Sequence, residues 1–393
     1  MRIGFDARWY NRSGVGTYVR ELLGAFAQRH GDFELVVLES ADNPVPLPNS
    51  ASISRVPVDA GRFSVKEQFE IPALCKSRRL DLLHVPYQYG MPLVLPCPLV
   101  ITVHDLIPFL FRTRKWPLQL TLAQMVKLGY RAAVFRAHHV IADSLTTARD
   151  LQTILGVSPE RITAVHLGTD DAIFHPNSSN SEFQHLTREY GVRFPYVVVG
   201  SAINWRTKNL QTSLQALALA KQISGINFQT VVYGIDDGIT VLTERNSTFG
   251  LDICRAGYLP SADLGALFRH AQLFITSSLY EGFGLPALEA MSCGCPVVSS
   301  NRGSLPEVVA DAAPTFNPLD ARGMAQAVAT LLSNPDEREL WRARALSRAS
   351  NFSWVKAAEE TAAVYRKVCD SVRDVKPILS FSRRTKSPAA EGS

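Results

Sequence analysis

Short apolar blocks alternate with amphipathic stretches along most of the chain. Residues 2–6 (Arg-Ile-Gly-Phe-Asp) read as a strand. They are followed by Thr17-Tyr-Val-Arg-Glu-Leu-Leu-Gly-Ala-Phe26, where Val19, Leu22, Leu23 and Phe26 share one helical face. Further blocks at 34–39, 53–58, 81–85, 98–103, 138–142 and 162–166 predict strands, with helical patterns between most of them. The alternation restarts at Tyr196-Val-Val-Val-Gly200 and continues through 228–233, 253–257, 272–276 and 296–299. Strands that alternate with helices in this way predict parallel sheets covered on both faces.

A polar stretch beginning His175-Pro-Asn-Ser-Ser-Asn-Ser separates the halves. The expected organisation is a domain over 1–175, a linker over 176–194 and a second domain over 195–354. A helix follows over 355–372, and 376–393 carries no pattern and is expected to be disordered. The fold class is α/β, with two Rossmann-like doubly wound domains facing a cleft. Such sheets take ligands at the carboxyl ends of their strands.

Composition narrows the partners. The chain has 393 residues, a net charge of +5 and an ordinary 46% hydrophobic content. Mild basicity suits anionic small molecules or a membrane surface. No basic run interleaves with aromatics, so no nucleic-acid partner is expected. No apolar stretch is long enough to span a bilayer, and the N-terminus opens as a strand rather than a leader. The six cysteines are scattered and lack a second Cys/His pair at zinc spacing, so buried thiols in a reducing cytoplasm are the expectation. Arg112-Thr-Arg-Lys-Trp116 and the amphipathic stretch behind it read either as a surface helix or as a peripheral contact with the inner face of a membrane.

Four constellations carry candidate chemistry. Glu281 and Glu289 lie eight residues apart around Gly282, Phe283, Gly284 and Leu285, with Pro286 suited to a helix start. A helix start offers N–H groups and a positive dipole end to a phosphate. Arg206 and Lys208 follow a strand and glycine and precede a helix, which suits phosphate clamping. His104 ends an apolar strand. Gly14 and Gly16 open the first helix, but Val19 occupies the place of the third glycine of a dinucleotide fingerprint. For this last group a tight helix start and an anion site stay open side by side.

Together these residues resemble the GT-B glycosyltransferases of family 4, a retaining group with many mannosyl- and glucosyltransferases. The Glu-x7-Glu motif with its Gly-Phe-Gly-Leu-Pro interior carries most of the likeness. Gly257-Tyr-Leu-Pro, Pro296-Val-Val-Ser-Ser, Leu305-Pro-Glu-Val and Asn351-Phe-Ser-Trp354 add to it, and it spans about residues 1–370. The resemblance implies that Glu281 contacts the donor sugar and Glu289 holds the ribose hydroxyls. Lys208, with Arg206, would grip the diphosphate. His104 would lie beside the sugar, Gly14 and Gly16 against the diphosphate or acceptor, and Gly282 to Leu285 along the donor. Many members carry the clamp's arginine directly after the strand glycine, where this chain has Ser201. The final helix would cross back onto the N-terminal domain. The reaction implied is retaining transfer of a hexose, mannose first, from a nucleoside-diphosphate sugar to a glycan or lipid-linked acceptor. No cofactor is expected, and no metal, since the chain lacks an Asp-x-Asp motif. The rivals are a nucleotide-sugar epimerase, a non-catalytic nucleotide-sugar-binding scaffold, and a glycoside hydrolase using the two glutamates.

Overall fold

The computed structural model describes residues 1–10, 13–28, 33–47, 52–88, 91–111, 117–201, 205–234 and 249–374. The basic segment 112–116 and the tail 376–393 lie outside the described residues. Among the described residues, thirteen strands form two parallel sheets. The first has seven strands: β1 (Arg2–Asp6), β2 (Glu34–Ser40), β3 (Ile53–Val58), β4 (Leu82–Val85), β5 (Leu99–Val103), β6 (His139–Ala142) and β7 (Ile162–Ala164), in the order β3-β2-β1-β4-β5-β6-β7. The second has six: β8 (Tyr196–Gly200), β9 (Gln229–Tyr233), β10 (Asp252–Gly257), β11 (Leu273–Thr276), β12 (Val297–Ser300) and β13 (Thr315–Phe316), in the order β10-β9-β8-β11-β12-β13.

Each sheet begins in its middle and then winds outward in both directions. The order therefore reverses at the β1/β4 pair, where Ile3 sits opposite Leu82, and at the β8/β11 pair, where Val199 sits opposite Ile275. Chains leaving the two central strands diverge there and open a crevice at the carboxyl ends. The central strands are apolar because helices cover both faces: β4, β5 and β6 are buried along their full lengths.

The stretch between the halves is not bare chain. Residues Asn180–Tyr190, inside the expected linker, form a helix closed by a capping box between Ser179 and Glu182. It packs on the helix Ser261–His270 through an Arg269–Glu182 ion pair at 2.7 Å, so it belongs to the second half. The strand β13 has no counterpart in the apolar pattern.

The helix Trp354–Asp374 returns to the first half and lies against the helix Ser13–Ala27. The Tyr365 hydroxyl, fully buried, bonds His84 Nδ1 at 2.6 Å, and the opposite ring nitrogen bonds Thr102 at 2.8 Å. The two halves also meet directly. The Gly282 carbonyl accepts from Ser144 Oγ at 2.6 Å and from Thr147 Oγ1 at 3.2 Å. A side chain at Gly282 would run into the carbonyl oxygen of His104.

Candidate functional site

A cavity of about 860 Å³ lies between the halves, lined from the first by Gly14, Thr17, Glu21 and Asp170 and from the second by residues after β8, β9, β10 and β11. It opens at the β8/β11 reversal, where the topology predicts a ligand crevice. A volume of this size accommodates a drug-sized or larger ligand.

Lys208 and Glu281 come together on its wall. Lys208 ends the short helix Trp205–Lys208 after β8, and Glu281 follows β11. The ammonium donates to Glu281 Oε1 at 2.7 Å, and Ser278 Oγ donates to the same oxygen at 2.6 Å. Both members of the pair are largely but not wholly screened from water, at 19% and 14% side-chain exposure. The lysine is therefore held at one place on the wall while its remaining protons stay available.

Glu289 sits on the helix Leu285–Ser292, which Gly284 opens in the left-handed region at φ 105°. Its carboxyl lines the same cavity. Burial pushes its pKa up to about 7, Lys208 pulls against this, and Glu21 across the cleft adds to the rise. Glu21 behaves alike: burial and Asp170 raise it to about 7. Two carboxyls from opposite halves thus share one partly dry space, each poised near neutrality. Leu285 lines the cavity, while Phe283 is buried below it between the rings of His166 and Phe352.

The other sequence-derived residues divide. Gly14 lies on the cavity wall with open space where a side chain would be. Gly16 faces the backbone of Tyr10 instead, which makes it a packing glycine of the first helix start. His104 is not on the wall. Its Nδ1 bonds Asp143 Oδ2 at 2.7 Å and its Nε2 bonds the Pro86 carbonyl at 2.9 Å. Burial draws its pKa down, but Asp143 and that carbonyl outweigh burial and raise it. Its ring edge also meets Tyr18, so what His104 offers the neighbouring half is its backbone carbonyl against Gly282. The side chain of Arg206 lies outside the described residues. Glu21 and Tyr233 escaped the sequence reading because nothing local marks a lone residue inside a helix or strand as facing a cleft, and Ser278 because nothing marks one loop serine after β11 over its neighbours.

The fold and the site define a GT-B architecture. The structure aligns with sucrose-phosphate synthase from Thermosynechococcus elongatus at a TM-score of 0.72 and 20% identity, covering 94% of this chain and 100% of that one. It aligns with Anabaena HepE, solved in complex with UDP and glucose, at 0.71 and 20%, covering 93% and 100%. The halves match two family models, Glycosyltransferase Family 4 over residues 12–173 and Glycosyl transferases group 1 over 193–348. Both halves of the chain are thus similar to glycosyltransferases, and the chain shares their GT-B architecture. It is 31% identical over 281 residues to the MMP alpha-(1->4)-mannosyltransferase of Mycolicibacterium hassiacum, covering 69% of this chain and 65% of that protein. It is 39% identical over 163 residues to O-antigen chain mannosyltransferase B of Escherichia coli, covering 40% and 42%. The matches thus span less than two thirds of these curated relatives.

Proposed function

We propose that this chain is a retaining hexosyltransferase of family 4, moving mannose from a nucleoside-diphosphate mannose to a glycan or lipid-linked acceptor. The observation that carries the reading is the Lys208–Glu281 pair, fixed on the wall of the interdomain cavity that also holds Glu289. The mannosyltransferase names of the two relatives support the sugar.

In this reading the nucleoside diphosphate departs from the anomeric carbon, and negative charge grows on its oxygens. Lys208, already desolvated and held by Glu281, stabilises that charge without reorganising. Glu281 and Ser278 orient the lysine, and the carboxylate's remaining oxygen faces the sugar. Glu289 accepts from the ribose hydroxyls when ionised. Gly14 lets the first helix start approach the ligand, and Gly282 lets the donor loop close against His104. His104 acts as a positioning residue for that loop. Arg206, as the second cation of the clamp, remains part of the proposal. The acceptor hydroxyl attacks on the face the diphosphate leaves, and the departing phosphate takes its proton. No divalent metal takes part.

Among the described residues no helix is long and apolar enough to cross a membrane. The helix Pro117–Arg136 exposes Met125, Leu128 and Phe135 at 65%, 67% and 84%. Together with the basic 112–116 these support peripheral docking on a bilayer bearing a lipid-linked acceptor. All six cysteines are free and buried, which fits the cytoplasmic reading.

The test is transfer of mannose from GDP-mannose, with UDP-glucose in parallel, with and without acceptor and with and without EDTA. Acceptor-dependent transfer that survives EDTA and collapses in Lys208→Ala supports the proposal. Sugar interconversion without acceptor would establish the epimerase, and donor binding without turnover the scaffold. Abolition by EDTA would overturn metal independence.

A further inference from the structure

Two hydroxyls on the cavity wall have no hydrogen-bond partner among the described residues. Tyr233 ends β9 and Ser201 follows β8, neighbouring strands on one side of the β8/β11 reversal. Each is 8% exposed, and among the described residues neither Tyr233 OH nor Ser201 Oγ has a hydrogen-bond partner. The backbones are locked together: Ser201 N donates to the Tyr233 carbonyl at 2.8 Å, and Gly234, at φ 113°, turns so tightly that a side chain there would strike the Ser201 carbonyl. The Tyr233 ring is fixed edge-on against Phe268 at 5.8 Å and leans over Gly200. Both residues line the cavity beside Lys208.

A buried hydroxyl left without a partner is costly, and such groups are rare in folded proteins. A fold that holds two of them on one cavity wall with a cation presents donors for an oxygen acceptor. Among the described residues no carboxylate bonds either hydroxyl, although Glu281 and Glu289 line the same cavity. A phosphate oxygen suits two hydroxyls and an ammonium together.

We infer that Tyr233 and Ser201 donate hydrogen bonds to the diphosphate of the nucleotide donor, completing with Lys208 an anion site in which hydroxyls stand where an arginine would follow the strand glycine. The inference rests on the donor-site reading above. It assigns the leaving group's stabilisation to one fixed cation and two neutral donors. A phenol suits this place because burial and the nearby Glu289 and Glu281 carboxylates keep it protonated at neutral pH.

The experiment is calorimetric titration of the full chain with GDP and GMP, and with UDP and UMP, in wild type, Tyr233→Phe and Ser201→Ala. Phenylalanine keeps the ring against Phe268 and removes only the hydroxyl. We expect Tyr233→Phe to weaken the diphosphate about tenfold or more, with under threefold loss for the monophosphate. Ser201→Ala should act in the same direction with a smaller effect. The melting temperature of ligand-free Tyr233→Phe should equal or exceed that of wild type, because no protein bond is lost, whereas a structural role would lower it. Unchanged diphosphate affinity, or an equal loss for both phosphorylation states, overturns the inference and leaves the donor-site reading standing. A wild type that binds none of the four nucleotides overturns both.

Discussion

Glu307, in the second half, closes the N-terminus of a helix in the first: its Oε1 accepts the backbone N–H of Leu145 at 2.6 Å. Its other oxygen accepts from Thr146 N at 3.2 Å, and His166 bonds the same carboxylate at 2.5 Å. A helix N-terminus favours an anion through its free N–H groups and dipole, and here the anion comes from across the domain boundary. Glu307→Ala should lower unfolding stability by roughly 2–4 kcal/mol at pH 7. Burial alone would raise this carboxyl, but His166 and the two N–H groups outweigh it and hold it below its ordinary value. A depressed acid stabilises the fold above its unfolded pKa of about 4.3 and loses that effect as pH falls through the folded value. Calorimetry at pH 7 and at progressively lower pH should show the wild type and the variant converging in acid. A constant gap would show that the carboxylate charge is not what counts.

Glu289 runs the opposite way. Its pKa is raised to about 7, so the folded state holds a proton that the unfolded state releases near 4.5. Stability conferred by the protonated form is complete below the unfolded value and declines as pH rises through about 7. Glu289→Gln mimics the protonated carboxyl. It should leave stability nearly unchanged at pH 5 and raise it by about 1–3 kcal/mol at pH 8. The difference reports Glu289 together with its repulsion from Glu21. Equal melting curves at both pH values would mean the cavity is wetter than its walls suggest.

The pairing of Lys208 with Glu281 predicts non-additivity. Lys208→Met should reduce turnover by about 10²–10³-fold, as loss of a preorganised charge-stabilising donor does. It also strands a largely buried carboxylate. Adding Glu281→Gln should restore part of the lost stability while turnover stays low, with a coupling of about 1–3 kcal/mol in a double-mutant cycle. Additive melting data would show the pair to be loosely held.

Gly282 fixes how closely the halves approach. Gly282→Ala places a methyl group against the His104 carbonyl and must push the donor loop away. The expected results are a larger radius of gyration in small-angle scattering and weaker nucleotide binding, with each separate half still folded. An unchanged radius would mean that the loop, rather than the domain, gives way.

Much of this architecture is legible in the chain because the central strands, such as Val197–Val199, are apolar on both faces and bounded by glycine or polar residues. The strand β13 is two residues long, below any period that a pattern can reveal. The helix Asn180–Tyr190 hides in a Ser/Asn-rich stretch because most of its surface is polar. Its signal was the Ser179…Glu182 capping box rather than hydropathy. At the site, Glu281, Glu289 and Lys208 follow from position at strand ends and a helix start. Tyr233 and Glu21 do not, since each reaches the cavity only after two separate segments have packed. His104 was placed correctly along the chain, but the direction of its ring depends on Asp143, 39 residues away.

The returning helix Trp354–Asp374 sets a rule for anyone recombining this protein with its relatives. A chimera cut once, near residue 190, would pair Phe26, Phe33 and His84 with a foreign Tyr365 equivalent, because those rings from the first half meet Tyr365 from the far end of the chain. The second-half module should therefore be excised with two cuts, before the helix Asn180–Tyr190 and before Trp354, leaving the last helix with the half it covers.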